Sequence, residues 1–200
     1  MSAKITKGID CSRWQGEINW EEVAKDGISF AMIKATQGEG IQARDGVHFT
    51  DSKFNDNITG AYAAGLSCGA YHFSTAANLS EAKKEFDYFF NVIKPHKQKI
   101  NLYAAIDFED VGYTDIKRIK LNTGIVLLFA DMAKANGFTS ALYTNRNFLT
   151  DYLDKARLEG IAIWQAHYYT PRCDQNPPQD SDSLCYVAVE RKRQGEGHRH

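Results

Sequence analysis

Residues 67–108 read SCGAYHFSTAANLSEAKKEFDYFFNVIKPHKQKINLYAAIDF, and this stretch decides the fold class. It begins with an apolar run at 67–74, continues with a helical pattern at 78–93 and ends with a second apolar run at 102–108. Short runs that are apolar almost throughout are typical of strands buried on both faces. The stretch therefore predicts two parallel strands joined by a right-handed helical crossover.

The same alternation continues on both sides of this unit. The apolar runs predict strands, and the 3.6-residue patterns between them predict helices. Six strands alternating with five helices predict an α/β protein, either a modified, TIM-like (β/α) barrel or an open doubly wound sheet. No GxGxxG or P-loop motif is present, which favours the barrel. The predicted strands are 7–14, 29–36, 67–74, 102–108, 139–144 and 161–167, and the predicted helices are 19–25, 51–64, 78–93, 115–136 and 147–158.

The alternation stops after Tyr168, so we expect a barrel that is incomplete at its C-terminal strands. We expect one catalytic domain over residues 1–185, followed by an atypical polar tail at 186–200. The basic N-terminus has no apolar core of secretory length, so we expect no signal peptide.

Composition excludes several classes of protein. The chain has 200 residues, of which 43% are hydrophobic and 24% charged, as in an ordinary globular domain. Its formal net charge of -1 gives no positive field for a polyanion, so we expect no nucleic-acid partner. No run of about twenty apolar residues exists, so we expect no membrane span. We expect a monomer.

The four cysteines lack the spacing of a metal site, and we expect neither a metal nor a cofactor. Cys11 and Cys68 lie in apolar runs and are interpreted as buried thiols. Cys173 and Cys185 flank a polar loop and are a candidate disulfide if the chain reaches an oxidising compartment.

An apolar strand that ends in two acids is the strongest functional signal in the sequence. Residues 103–110 read YAAIDFED, so that Asp107 and Glu109 are two positions apart. If the strand persists, both side chains point the same way, about 6.6 Å apart along the chain. Two neighbouring carboxyls in a partly desolvated site cannot both ionise freely, which suits glycosidic bond hydrolysis by one acid and one carboxylate. Alternatively, the acids are a solvated strand end that caps the next helix.

Asp10 ends the apolar start of the first predicted strand and is a third candidate acid. Polar residues at the carboxyl ends of barrel strands line the active face. Asp10 is therefore expected beside Asp107 and Glu109. On its own, an aspartate in this position is more often an ordinary turn or capping residue.

Six segments occur in an order that resembles glycoside hydrolase family 25, the muramidases of bacteria and their phages. The segments are KGIDCSRWQGEINWEEV, SFAMIKATQG, DSKFNDNITGAYAAGLSCGAYHF, AAIDFED, ALYTN and IWQAHY, and they cover residues 7–168. The resemblance implies a modified β/α barrel that cuts the β-1,4 bond between N-acetylmuramic acid and N-acetylglucosamine in peptidoglycan. By motif, Glu109 matches the general acid, Asp107 matches the carboxylate that stabilises positive charge or orients the acetamido group, and Asp10 matches the first-strand acid.

Aromatic side chains in the matching strands are expected to stack on sugar rings. We predict Tyr71, Tyr143, Trp164 and Tyr168 as substrate-binding residues, with core packing as the alternative for each. Lys34 is predicted to pair with a carboxylate of the cleft, with a snorkelling surface lysine as the alternative.

Two departures from the family pattern motivate a second hypothesis. Gln37 stands where the family commonly has Glu, and residues 186–200 lack the family's closing segment, as a truncated or frameshifted gene would. The alternative is therefore a catalytically weak or inactive relative that only binds cell-wall glycan. A third interpretation is a cytosolic sugar- or sugar-phosphate-metabolising enzyme. For a muramidase without a signal peptide, we expect synthesis in the cytoplasm and action on the cell wall, as for a phage lysin, or secretion by a route not visible in the sequence.

Overall fold

The computed structural model describes residues 6–38, 48–109, 114–166 and 189–190, the last two as backbone only. Within these ranges, parallel strands alternate with helices, and short 3-10 helices occur at several junctions. None of the described helices combines the length and the apolar character needed to cross a membrane. The strands are β1 Gly8–Cys11, β2 Phe30–Gln37, β3 Phe49–Thr50, β4 Ser67–Phe73, β5 Ile100–Asp107, β6 Ser140–Asn145, β7 Ala162–Ala166 and β8 Val189–Glu190, and the helices are α1 Trp20–Lys25, α2 Phe54–Ala63, α3 Leu79–Ile93, α4 Ile119–Ala135 and α5 Arg146–Asp151.

One curled sheet carries all the described strands, in the order β1-β2-β4-β5-β6-β7-β8, with β3 beside β2. The pairs from β1 through β7 along this order are parallel. The two short strands β3 and β8 pair antiparallel with β2 and β7. Helices flank the sheet, which forms a half-barrel. The predicted α/β class and the incomplete TIM-like barrel are therefore confirmed.

The main core lies between the sheet and the helices. Its centre is a group of phenylalanines from α3 and α4, in which Phe86 and Phe129 meet edge to face with ring centroids 5.1 Å apart. Asn78 fixes the start of α3 because its side chain accepts hydrogen bonds from the Ser80 and Glu81 N–H groups, both at 3.0 Å. Cys11 and Cys68 are free and buried in this core, as the sequence predicts.

A second, smaller cluster fills the concave side of the sheet. Large side chains from β2, β4, β5, β6 and β7 pack over the small residues Ala105 and Ala141 of β5 and β6. The interior of the half-barrel is thus a packed layer of side chains, as in other β/α barrels. The buried members of this cluster are Phe30, Met32, Tyr71, Tyr103, Ala105, Ala141, Tyr143, Trp164 and Ala166.

Several local features differ from the sequence prediction. The first strand ends at Cys11, and a 3-10 helix at Arg13–Gln15 replaces the rest of the predicted strand because Ser12 and Gln15 form a capping box. The predicted helix at 147–158 is two pieces, α5 and a 3-10 helix at Lys155–Leu158. Strands β3 and β8 were not predicted, since two residues are too few to show a pattern.

Candidate active site

Three acidic side chains lie at the carboxyl edge of the half-barrel. Asp10 is in β1, Asp107 is the last residue of β5, and Glu109 follows two positions later. Asp107 is buried, whereas Asp10 and Glu109 are half-buried. The carboxyl ends of parallel strands meet at one edge of a barrel, which is where its functional groups collect.

Strand β5 ends at Asp107, one residue earlier than predicted, so Glu109 lies beyond its last residue. Pairing nevertheless continues for one more step, because the Phe108 N–H donates to the Tyr143 carbonyl oxygen at 3.0 Å. The Phe108 side chain is fully buried in the main core on the helix side of the sheet. The alternation of side chains that the sequence argument requires therefore holds through Phe108.

Asp107 has a strongly perturbed carboxyl. Burial raises its pKa well above the ordinary value, and the charges of Glu109 and Asp10 raise it further, while the Lys34 ammonium opposes them. Its Oδ1 atom is buried and has no hydrogen-bond partner among the described residues. The acids therefore interact electrostatically, and Asp107 retains a proton more strongly than an isolated aspartate does.

Asp10 is held by a tyrosine and a lysine. Burial raises the pKa of Asp10 to about 6, against the opposing effects of a hydrogen bond from Tyr71 and the charge of Lys34. Burial together with the charges of Asp10 and Asp107 raises the pKa of the Tyr71 phenol well above its usual range. The Tyr71 hydroxyl therefore stays protonated and donates to the Asp10 carboxylate.

A β-bulge brings Gln37 to the side of Lys34. The pairing of β2 with β4 shifts between Lys34 and Thr36, so Gln37 returns to the face that Lys34 occupies. The Lys34 ammonium donates to Gln37 Oε1 at 2.8 Å and lies 5.1 Å from the centre of the Phe73 ring. Burial lowers the pKa of Lys34, and the charge of Asp107 is the strongest influence that opposes this.

Three of the predicted substrate-binding aromatics come together, but they are buried. Tyr71, Tyr143 and Trp164 expose 8%, 7% and 2% of their surface. The Trp164 ring packs edge-on against Tyr143 and Tyr71, with centroid distances of 4.6 and 5.7 Å. These edge-to-face contacts cover most of the three rings, and Trp164 Nε1 has no hydrogen-bond partner in the described part of the chain. Tyr168, Cys173 and Cys185 lie outside the described residues.

A buried polar network lies behind this edge. His72 contacts Thr36 Oγ1 through Nδ1 at 2.7 Å and Glu85 Oε2 through Nε2 at 3.0 Å. Burial lowers the pKa of His72, so the neutral ring donates from Nε2 and accepts at Nδ1. Burial would raise the pKa of Glu85, but hydrogen bonds from His72, Ser74 and Thr75 outweigh it and lower the pKa. Glu85 follows two lysines in the sequence, so the local pattern alone gives no sign of its burial.

Two further groups beside β1 were not predicted. Asp51 is buried and accepts hydrogen bonds from the Arg13 and Lys53 N–H groups at 3.0 and 2.9 Å. Trp14 is 76% exposed on the 3-10 helix that follows β1. No cluster of three or more His, Cys, Asp or Glu side chains suited to a metal ion occurs in the described ranges.

Comparison with known proteins gives a consistent result. The family described as "Glycosyl hydrolases family 25" matches residues 9–186. "Lysozyme M1" of Streptomyces globisporus is 46% identical over 83 residues, which are 42% of this chain and 25% of that protein. "Autolytic lysozyme" of Clostridium acetobutylicum is 32% identical over 162 residues, which are 81% of this chain and 45% of that protein.

A solved structure extends the similarity to three dimensions. The family 25 glycosyl hydrolase from Bacillus anthracis superposes with a TM-score of 0.66 and 26% sequence identity, over 82% of this chain and 71% of that one. The matched segments span a quarter and slightly under half of the two curated lysozymes.

Proposed function

Because the chain belongs to glycosyl hydrolase family 25, we propose that it is a muramidase that hydrolyses the β-1,4 bond between N-acetylmuramic acid and N-acetylglucosamine in peptidoglycan. Its substrate is then the glycan strand of the bacterial cell wall, and it acts there as a monomer. The single observation that carries the proposal is the group of Asp10, Asp107 and Glu109 at one edge of the half-barrel, coupled to one another and to Lys34.

Exposure assigns the roles within this group. A general acid has to reach the glycosidic oxygen, and of the two acids at the end of β5 only Glu109 is more than marginally exposed. Asp107 is buried, and the charge of the Lys34 ammonium favours its ionised form. We therefore assign Glu109 as the general acid and Asp107 as the carboxylate that stabilises positive charge at the anomeric carbon. Asp10 accepts a hydrogen bond from Tyr71, and we propose that its charge helps to set the pKa of Asp107.

The reaction begins with a proton that the carboxyls share. Bond cleavage uses the arrangement in which Glu109 holds that proton and Asp107 is ionised. Glu109 gives the proton to the glycosidic oxygen as the bond to the anomeric carbon breaks, and the departing sugar leaves with a hydroxyl group. Positive charge on the remaining sugar is stabilised by Asp107. Water then adds to the anomeric carbon, and the proton it loses returns to Glu109.

The aromatic residues have different parts in this proposal. Since the rings of Tyr71, Tyr143 and Trp164 pack against one another, the small exposed parts of the two tyrosines are suited to meet the sugar, and the buried Trp164 supports them from behind. Lys34 limits the rise in pKa of Asp10 and Asp107. Tyr168 is proposed as a substrate-binding residue from its motif alone.

Replacing the proposed acid tests the assignment. Glu109→Gln keeps the size of the side chain and removes its proton, so we expect cleavage of purified peptidoglycan to fall by about 10²–10⁴-fold. Glu159→Gln, an exposed change near the amino end of β7, is the matched control and should retain full activity. Mass analysis of the products identifies the bond. A Glu109→Gln protein as active as the wild type would remove Glu109 from the acid role.

An assay on cell walls distinguishes the muramidase from the alternative that only binds glycan. Gln37 accepts a hydrogen bond from Lys34, so the amide preserves the contact that a glutamate would make there. Under the muramidase proposal, the wild-type protein releases new reducing ends from cell walls. Sedimentation with the walls without release of reducing ends would favour the alternative.

A further inference from the structure

Trp14 is the most exposed large hydrophobic side chain in the described part of the chain. It lies four residues after Asp10, so the two Cα atoms are at most about 14 Å apart. Both residues belong to the carboxyl edge of the half-barrel, because the 3-10 helix Arg13–Gln15 follows the end of β1. An exposed tryptophan close to a candidate active site is a candidate ligand contact.

The backbone under Trp14 is fixed in place. The Trp14 N–H donates to Ser12 Oγ at 3.3 Å, and the Ser12 N–H donates to Gln15 Oε1 at 2.8 Å. The Arg13 N–H donates to Asp51 Oδ2 at 3.0 Å, which ties the turn to the residue after β3. The turn that carries the indole is therefore held by hydrogen bonds. Ligand binding would cost little conformational entropy, because the backbone is already ordered.

The indole is supported by the neighbouring Arg13 side chain. The Arg13 guanidinium carbon lies 4.7 Å from the Trp14 ring centre and 4.4 Å from the Phe49 ring centre. Such cation–π contacts hold the indole against the protein. With 76% of the residue exposed, the remaining surface of the indole is open to a ligand.

We propose that Trp14 is an outer sugar subsite, which stacks on a ring of the glycan strand one or two sugars away from the bond that is cut. This inference rests on the proposed function. A pyranose ring has an apolar face of C–H groups, and a flat indole removes that face from water while the sugar hydroxyls stay solvated. Trp14 thereby adds a binding contact to a long glycan strand without touching the reacting atoms.

Substrate length distinguishes a subsite from a structural role. Trp14→Ala should lower kcat/KM on long, peptide-free glycan strands by about 5–10-fold. On the shortest oligosaccharide that the wild type cleaves, the change should stay below about twofold, because that substrate does not reach Trp14. Trp14→Phe should recover part of the loss. Tyr62→Ala, which removes a 45% exposed aromatic at the far end of α2, is the control and should affect neither substrate.

Binding measured without turnover keeps the test independent of catalysis. The other two tryptophans, Trp20 and Trp164, are 8% and 2% exposed, so Trp14 is the tryptophan whose fluorescence should respond to added glycan. In the Glu109→Gln background, peptide-free strands should change this fluorescence, and Trp14→Phe should abolish the change.

The outcomes separate the two proposals. Failure of the wild type to cleave any strand defeats the proposed function, while the fluorescence response still reports on the subsite. Equal losses of kcat/KM on long and short substrates, or no loss on either, would overturn the subsite. A response that requires the stem peptides would also overturn it, because the ligand would then be peptide.

Discussion

Asp10→Asn should stabilise the protein at neutral pH while lowering its activity. The carboxyl of Asp10 is perturbed mainly by burial, which raises its pKa from 3.8 to about 6. The folded state therefore binds this proton more tightly than the unfolded state does. The resulting stability is fully present below pH 3.8 and is lost as the pH rises through about 6. An asparagine never ionises, so it avoids that loss.

The size of the effect follows from the pKa. A rise from 3.8 to about 6, at about 1.4 kcal/mol per pH unit, makes ionised Asp10 cost about 3 kcal/mol of folding free energy at pH 7. At pH 4 the same group costs about 0.5 kcal/mol, because it is then mostly protonated in the folded state. The amide oxygen of Asn can still accept the hydrogen bond from Tyr71. We therefore expect a net gain of about 1–3 kcal/mol at pH 7 and little change at pH 4.

Urea unfolding of both proteins at pH 7 and pH 4 measures this difference. Asp131→Asn, on the exposed side of α4, controls for the Asp-to-Asn change and should stay within about 0.5 kcal/mol of the wild type at both pH values. Peptidoglycan cleavage by Asp10→Asn should fall, as expected when a strained functional group is relieved. An Asp10→Asn protein with the same advantage at both pH values, or with none, would refute the argument from burial.

Two further changes test the surroundings of the acids. Lys34→Met removes the charge that holds down the pKa of Asp10 and Asp107, so the acidic limb of the pH–rate profile should move to higher pH; an unmoved limb would mean that neither carboxyl governs it. Gly38→Ala places a methyl group against the Glu85 carboxylate and should cost about 1–3 kcal/mol in urea unfolding. A Gly38→Ala protein as stable as the wild type would show that the network around Glu85 yields easily.

Patterns of apolar residues that extend over a whole strand or helix made the fold predictable from the sequence. The run around Tyr103 is apolar almost throughout because β5 is covered on both faces, and the periodic helix after Asn78 is real and capped as its residues indicate. The elements that the sequence did not predict are too short to show a repeating pattern. The two residues of β3 and the turn at Arg13–Gln15 depend on single hydrogen bonds that no periodicity encodes.

The candidate site was predictable by residue type but not by environment. Strand alternation and motif order indicated Asp107 and Glu109, and the structure places both at the expected edge. Alternation could not indicate that Trp164 would be covered by its own aromatic neighbours. Nor could it indicate that Glu85 would be buried, because its partners come from β4 and the segment after it, ten or more residues away.

The filled interior of the half-barrel bears on how the proposed substrate binds. Among the described residues, Tyr103 and its neighbours pack with Ala105 and Ala141 and fill the concave side of the sheet. For the muramidase proposed above, we therefore expect the glycan strand to lie across the rim of the half-barrel and not along its axis. A strand bound in that way is open to cleavage at internal bonds as well as near its ends, so the average length of the products should drop early in digestion.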